Sequence, residues 1–214
     1  MKTRRQCYEA MLNVALTGNI AAGKSAVVEL FRKWGATIID ADQLVREAQR
    51  PGTEVLQAIA FRFGRDVVLP GGELDRAALR GKVMGDDQAL AELNAIVHPA
   101  IRRERDRLLG EARTRGDRIV VSDIPLLFEA SDPSEFDVIV LVDAPEPARK
   151  RRLIAHRGLS PEEADRMIQS QQSALAKRAK SDLVIDNDGT LDALEEKARL
   201  VWRELENRSR QVSS

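Results

Sequence analysis

The chain has 214 residues, with 34 Lys and Arg set against 34 Asp and Glu, so it lacks the basic excess that coating nucleic acid or a membrane surface requires. A single cysteine, Cys7, excludes an internal disulfide and a zinc-holding cysteine cluster, and two histidines are too few for a His-based metal centre. No apolar run reaches the ~18 residues of a membrane span, and no apolar segment of signal length follows the charged start, so one cytoplasmic domain is expected.

Residues 1–10 are polar and aperiodic, and two readings stand: a disordered extension, or a true start at Met11. The apolar run 11–16 predicts a buried strand. A glycine-bounded turn, 17–23, leads into a helix from about Lys24, in which Ala26, Val27, Leu30, Phe31 and Trp34 share one face and Gly35 ends it. Residues 36–40 predict a second strand, which delivers Asp40-Ala41-Asp42 to the mouth of the next helix.

Residues 43–112 read as mainly helical, with breaks expected at Pro51-Gly52, at Leu69-Pro70-Gly71-Gly72 and at His98-Pro99. Three more strands are expected at 118–123, 137–142 and 182–185. Between the last two, residues 147–180 are helical and strongly charged, and are expected to protrude. Leu191, Leu194, Ala198, Val201 and Leu205 recur every three or four residues and mark an amphipathic closing helix. Trp34 and Trp202 lie on apolar helix faces and are assigned to the core; they are too few for an aromatic nucleic-acid platform. Five short apolar strands separated by helices predict an α/β fold, a doubly wound parallel sheet covered on both faces.

Gly18-Asn19-Ile20-Ala21-Ala22-Gly23-Lys24-Ser25 fits the G-x-x-x-x-G-K-[ST] pattern between a strand and a helix. Gly18 and Gly23 let the backbone turn so that successive N–H groups point into one anion-sized hollow, and the helix N-terminus adds its positive end. Lys24 is expected to reach the β- and γ-phosphates, and the Ser25 hydroxyl to ligate Mg²⁺. A chance glycine turn is the bland alternative, and four fixed positions in the right context argue against it. The loop alone does not choose among P-loop proteins. No N-K-x-D base-reading motif of a GTPase occurs, and the D-x-x-G match at Asp186 to Gly189 reads as a turn. The small size and the charged helices, suited to a lid, favour a small-molecule kinase of the P-loop type.

Several other residues admit two readings. Asp42 is a candidate general base for an attacking hydroxyl, or an N-cap for a helix beginning at Gln43. Asp40 is read as support for the turn or for a metal's water shell. Asp123, at a strand end, is either a Mg²⁺ ligand through water or a cap. Arg152 lies in the basic run Arg149-Lys150-Arg151-Arg152, which as a solvated helix face would be ordinary. His98, before Pro99, suits the first turn of a helix and a structural place in an acceptor pocket rather than proton transfer. Asn187 either touches adenine or caps a turn.

Taken in order, these segments resemble the dephospho-coenzyme A kinase family over nearly the whole chain from Met11. The resemblance is carried by Val14-Ala15-Leu16-Thr17-Gly18 with the loop, Ile39-Asp40-Ala41-Asp42, and Phe63-Gly64 with Gly72, Leu74, Asp75 and Arg76. It continues through Leu93-Asn94 with His98-Pro99, Pro125-Leu126-Leu127-Phe128-Glu129, Arg152-Leu153, Gln171 and Ile185-Asp186-Asn187. It implies a P-loop core (about 11–42, 113–145 and 181–208), a helical coenzyme-A-binding region (about 43–112) and a lid (about 146–180). It also implies ATP-dependent phosphorylation, with Mg²⁺, of the ribose 3′-hydroxyl of dephospho-coenzyme A.

On this resemblance Asp42, Lys24 and Arg152 are catalytic, with Arg152 the γ-phosphate clamp. Residues 18–26, Ala26 included, together with Asn187 bind nucleotide. Asp42, Arg76, His98, Pro125 and Leu126 bind the acceptor, and Ser25 and Asp123 serve the metal. The chain departs from the family's usual glycines at Asn19 and Ala21, and from a hydroxyl residue at Ala26. His156 stands where a second lid arginine is usual, and Arg157 follows it. The expected partners are small molecules only, in a monomer or small homo-oligomer, without nucleic acid or membrane. The rival readings are a nucleoside or nucleoside-monophosphate kinase and a nucleotide-dependent regulatory switch.

Overall fold

The computed structural model describes residues 11–212; the extension predicted at residues 1–10 lies outside them. In chain order the elements are β1 (Leu12–Gly18), α1 (Lys24–Lys33), β2 (Thr37–Asp40), α2 (Ala41–Ala48), α3 (Glu54–Phe63), α4 (Arg76–Val83) and α5 (Asp87–Arg115). There follow β3 (Ile119–Asp123), α6 (Leu127–Ala130), β4 (Val138–Asp143), α7 (Glu146–Arg157), α8 (Pro161–Gln169), α9 (Ala174–Ala179), β5 (Leu183–Asp186) and α10 (Leu191–Val212).

The strands form one sheet in the order β2-β3-β1-β4-β5, and β1 pairs in parallel with both β3 and β4. The connection after β1 runs to one side, to β2, and the connection after β3 runs past β1 to β4 on the other, so the carboxyl ends of β1 and β3 flank the switch point where such sheets leave a ligand crevice. Every residue of β1 and of β4 is buried. This is why these strands read as continuous apolar runs rather than alternating ones: helices cover both faces. The register sets Leu16 opposite Asp123 and Val140, and Gly18 opposite Val142, so the loop after Gly18 starts level with the ends of both neighbours.

The chain divides into two compact units, residues 40–110 and the remainder. In the sheet unit, Leu12, Val14, Leu16, Val121, Val140 and Val142 pack with Phe31 of α1 and with Leu194, Ala198 and Leu205 of α10. Phe31 and Trp202 lie 5.4 Å apart between ring centroids, and Trp34 joins them with the Arg199 guanidinium 3.7 Å above its ring. Both tryptophans thus belong to the core, as expected.

The 40–110 unit has its own cluster, in which Leu56, Ile59 and Phe63 of α3 meet Val67, Leu74, Leu79, Ala89 and Val97. The break expected at His98-Pro99 does not occur: α5 runs through Pro99, which is interior to the helix. A proline there costs roughly 3 kcal/mol of helix stability. The helix continues because Leu93, Ile96, Val97 and Ile101, on either side of it, are held in the cluster. Residues 147–180 also differ from the protruding stretch expected. They form α7, α8 and α9, and Leu153, Ala164 and Ile168 bury a small core with Ile20 and Ala21 of the glycine loop.

Candidate functional site

The loop leaves β1 with Gly18, where an added Cβ would stand 2.9 Å from the Val142 carbonyl oxygen. No side chain fits, so the glycine is required by the neighbouring strand. Asn19 N–H donates to Val142 O at 3.2 Å, and Ala22 N–H donates back to Asn19 O at 3.0 Å, closing the first turn. Ala21 (φ 56°) and Gly23 (φ 95°) are left-handed. At Gly23 a Cβ would also overlap Asn187 Nδ2, so glycine is needed there twice over. A non-glycine residue in the left-handed region is strained by ~1 kcal/mol. Ala21 is held there by packing under Leu153 and by the Arg152 guanidinium, which donates to its carbonyl at 3.1 Å.

α1 begins at Lys24 without a side-chain N-cap. Ala26 N–H donates to Gly23 O at 3.1 Å, and with no side-chain cap the N–H groups of Lys24 and Ser25 before it are left to an outside acceptor, as an anion site requires. Lys24 Nζ is paired with the Asp123 carboxylate at the end of β3, and Ser25 is exposed in the first turn. Thr17, fully buried, donates its hydroxyl to Pro125 O at 3.3 Å and ties the segment after β3 to the loop's base, while Leu126 beside it is exposed.

Around the loop stand residues brought from far along the chain. Ile20 N–H donates to Gln171 Oε1 at 2.9 Å. Asn187, buried after β5, donates from Nδ2 to Ala22 O at 2.8 Å, and its own carbonyl accepts from Arg152 Nη2 at 3.4 Å. Beside them opens a cavity of about 270 Å³, lined by Arg151, Arg152, His156, Asn187, Asp188 and Gly189. Arg152 and His156, one helical turn apart, both face it, and Arg157 is not among its lining residues. Of the basic run, Arg149 turns inward instead, with Nε donating to Ala144 O at 3.0 Å.

Four of the five strands end in aspartate: Asp40, Asp123, Asp143 and Asp186. Asp143, nearly buried, accepts from Asn19 Nδ2 at 2.6 Å and from Arg178 Nη1 of α9 at 3.0 Å. Arg178 also bonds Asp186 through both terminal nitrogens, and these two carboxylates, Asp186 first, hold its guanidinium pKa above the ordinary value. Fully buried Lys177, next to it, pairs with Glu129 at 2.8 Å. Asn19, Asp143, Gln171 and Arg178 were not assigned side-chain partners from sequence; for Asp143 the signal available was an aspartate just past a predicted strand, and Gln171 stood only in the family resemblance.

The remaining predicted residues, Asp42, Arg76 and His98, belong to the 40–110 unit, and all three are exposed. α2 starts at Ala41 and its cap is Asp40, whose Oδ1 accepts from Gln43 N–H at 3.0 Å. The capping alternative for Asp42 is therefore replaced: Asp40 supports the turn, and Asp42 lies in the first turn with its carboxylate outward. His98 is not in a first helical turn but near the middle of α5. Arg76 opens α4, after the cap Asp75.

Among the described residues no cluster of three or more His, Cys, Asp or Glu could hold a metal by itself. Mg²⁺ asks for less: one or two protein oxygens, the rest coming from phosphates and water. The Ser25 hydroxyl and the Asp123 carboxylate are hard oxygen donors of the sheet unit's loop edge, and their chemistry fits that ion.

A family model described as dephospho-CoA kinase matches residues 12–193. A dephospho-CoA kinase of Thermobifida fusca is 41% identical over 198 residues, 92% of this chain and 98% of the relative. The dephospho-CoA kinase of Mycolicibacterium paratuberculosis is 43% identical over 194 residues, 91% of this chain but 47% of the relative, so the chain spans about half of that longer protein. A solved structure from Thermus thermophilus shares the fold with a TM-score of 0.76 at 36% identity, covering 91% of this chain and 98% of the other.

Proposed function

The chain belongs to the dephospho-coenzyme A kinase family, and we propose that it transfers the γ-phosphoryl group of ATP to the ribose 3′-hydroxyl of dephospho-coenzyme A, giving coenzyme A. The observation that carries the phosphate half of this reading is the uncapped start of α1 behind a left-handed Gly23, with Lys24 beside it. Free N–H groups and one lysine in that place suit a polyphosphate. Family membership carries the acceptor.

In this reading the loop amides and Lys24 hold the β- and γ-phosphates, Lys24 exchanging its partner Asp123 for phosphate. Ser25 and Asp123 hold Mg²⁺, which when bound supplies charge neutralisation to the phosphates. Arg152 and Asn187 border the nucleotide cavity, and Arg152 closes on the transferring group. Asp42 orients the ribose hydroxyl and accepts its proton; its exposed carboxylate, relieved of capping by Asp40, supports the role. Arg76, His98, Pro125 and Leu126 contact the acceptor. No covalent enzyme intermediate is needed, since positioning and charge stabilisation suffice for this chemistry.

The test is an acceptor panel with purified protein, ATP and Mg²⁺. ADP release should require dephospho-coenzyme A, and the product should carry one more phosphate, on the 3′-oxygen. Turnover with nucleosides or nucleoside monophosphates but not with dephospho-coenzyme A would overturn the acceptor assignment. Nucleotide binding without turnover on any acceptor would point to a regulatory switch.

A further inference from the structure

The link between Asn19 and Arg178 takes no part in the chemistry above. Asn19, the second residue of the phosphate loop, is 4% exposed, and its side chain donates to Asp143 Oδ1 at 2.6 Å. The same oxygen accepts from Ala144 N–H at 2.8 Å, and Asp143's backbone carbonyl accepts from Asn187 N–H at 2.7 Å. Asp143 is thus fixed from three directions, and it fixes the loop in turn. Its other oxygen meets Arg178 at 3.0 Å. Asp143 is only 7% exposed, so water screens its charge poorly. A lone carboxylate one side chain behind the loop would repel the phosphates the loop is built to hold. Arg178 is the cation that faces it, and a single guanidinium spans both Asp143 and Asp186, a reach that planar, forked donors allow. The other charged groups around the cluster are Arg149, 5% exposed, whose Nε donates to the carbonyl of Ala144 next to Asp143, Lys197, which donates to Asp186 O and pairs with Asp188, and Arg152 at the loop itself.

We propose that Arg178 is a positioning residue for polyphosphate binding: it neutralises Asp143 and, through Asp143 and Asn19, sets the phosphate loop, so that affinity for the nucleotide's β-phosphate depends on α9 being seated. The proposal rests on the nucleotide reading given above. It differs from a merely structural role for Arg178, which would tie α9 to β5 through Asp186 and leave phosphate affinity alone.

The experiment is calorimetric titration of the full chain with ADP and with AMP, which lacks the β-phosphate. Arg178→Met should weaken ADP about five- to tenfold, the effect shrinking as salt rises, and change AMP by less than about twofold. Arg178→Lys, which keeps the charge, should lie between. The double variant Asp143→Asn with Arg178→Met removes both charges, while the amide oxygen that replaces the carboxylate can still accept from Asn19. Its ADP affinity should return to within about twofold of the unmodified protein. A folded double variant that still binds ADP as weakly as a charge-imbalanced site overturns the proposal even where Arg178→Met alone does not fold. Equal losses for ADP and AMP, or unchanged ADP binding in Arg178→Met, overturn it as well. Failure of the unmodified protein to bind ADP would instead remove the nucleotide reading on which it rests, and the proposal with it.

Discussion

The sheet unit and the 40–110 unit hold their candidate functional side chains in opposite ways. In the first, Asn19, Lys24, Arg152, Gln171 and Asn187 each bond a neighbour, and the loop they surround is pinned to β1, β4 and the segment after β5. In the second, Asp42, Arg76 and His98 are exposed, and the side-chain bonds near them are helix caps by Asp40 and Asp75 that do not involve the three residues themselves. The apolar clusters follow suit among the described residues: the one around the sheet joins twenty buried residues, the one in the helical unit eight. A phosphate loop works by presenting donors already aimed at charge, so its residues must be fixed before the ligand arrives. On the proposed reading, Asp42, Arg76 and His98 gain their partners only when the acceptor binds, and they sit on the unit with the smaller apolar cluster.

Lys24→Ala is the largest expected break. On the proposed role, removing this cation should cut kcat by ~10³–10⁵-fold, the range an arginine finger supplies to the same developing charge. Because Lys24 is also an anchored member of the sheet unit, through Asp123, a small fall in melting temperature should accompany the loss. Near-normal turnover would take the loop out of the reaction.

Asp42→Asn tests the other side. Loss of a general base costs about 10²–10⁴-fold in rate. With Asp40 as the cap of α2, the substitution should leave the melting temperature unchanged and ADP affinity unaltered. A rate within about threefold of the parent, far inside that range, sinks the assignment. Lys24 and Asp42 are thus distinguished by what else moves: stability for the anchored residue, only turnover for the exposed one.

Much of the sheet unit was legible in the sequence. The P-loop pattern, the five strands and the amphipathic closing helix all follow from local periodicity and glycine placement, which act within a few residues. What lay hidden depends on strand order. Asp143 matters because β4 lies next to β1, and Gln171 because α8 leads back to Ile20 across 151 positions. Periodicity carries no information on either. Only Asp40 follows a strand close after the motif; Asp123, Asp143 and Asp186 end recognisable strands far along the chain, and the sheet order is what sets β3 and β4 on either side of β1, from which the loop leaves. In the helical unit the misreading at Pro99 has another cause. Proline is a local stop signal, and the apolar residues flanking it, Val97 and Ile101 among them, hold the helix together over it.

The smallest expected effect is Asp117→Asn, at the turn between α5 and β3. The Arg115 guanidinium, and after it the Thr37 hydroxyl, hold the Asp117 carboxyl below its ordinary value of 3.8. Thr37 begins β2 and bonds Asp117 at 2.7 Å, so this carboxylate ties an edge strand to the turn before its neighbour. A depressed folded-state pKa means that the charged form is favoured by folding. Its contribution is full above the unfolded value near 3.8 and is lost as pH falls through the lower folded value. Arg115 is half exposed, so solvent screens the pair and its contribution is small. Asp117→Asn should therefore lower the melting temperature slightly at pH 7, and the gap from the parent should narrow as pH falls below 3.8. Because Asp117 lies in the sheet unit, away from the loop's bonds, ADP affinity should not follow. A stability gap that stays constant down to acid pH would show that shape, not charge, matters at this turn, and the edge of the sheet would then be held by packing alone.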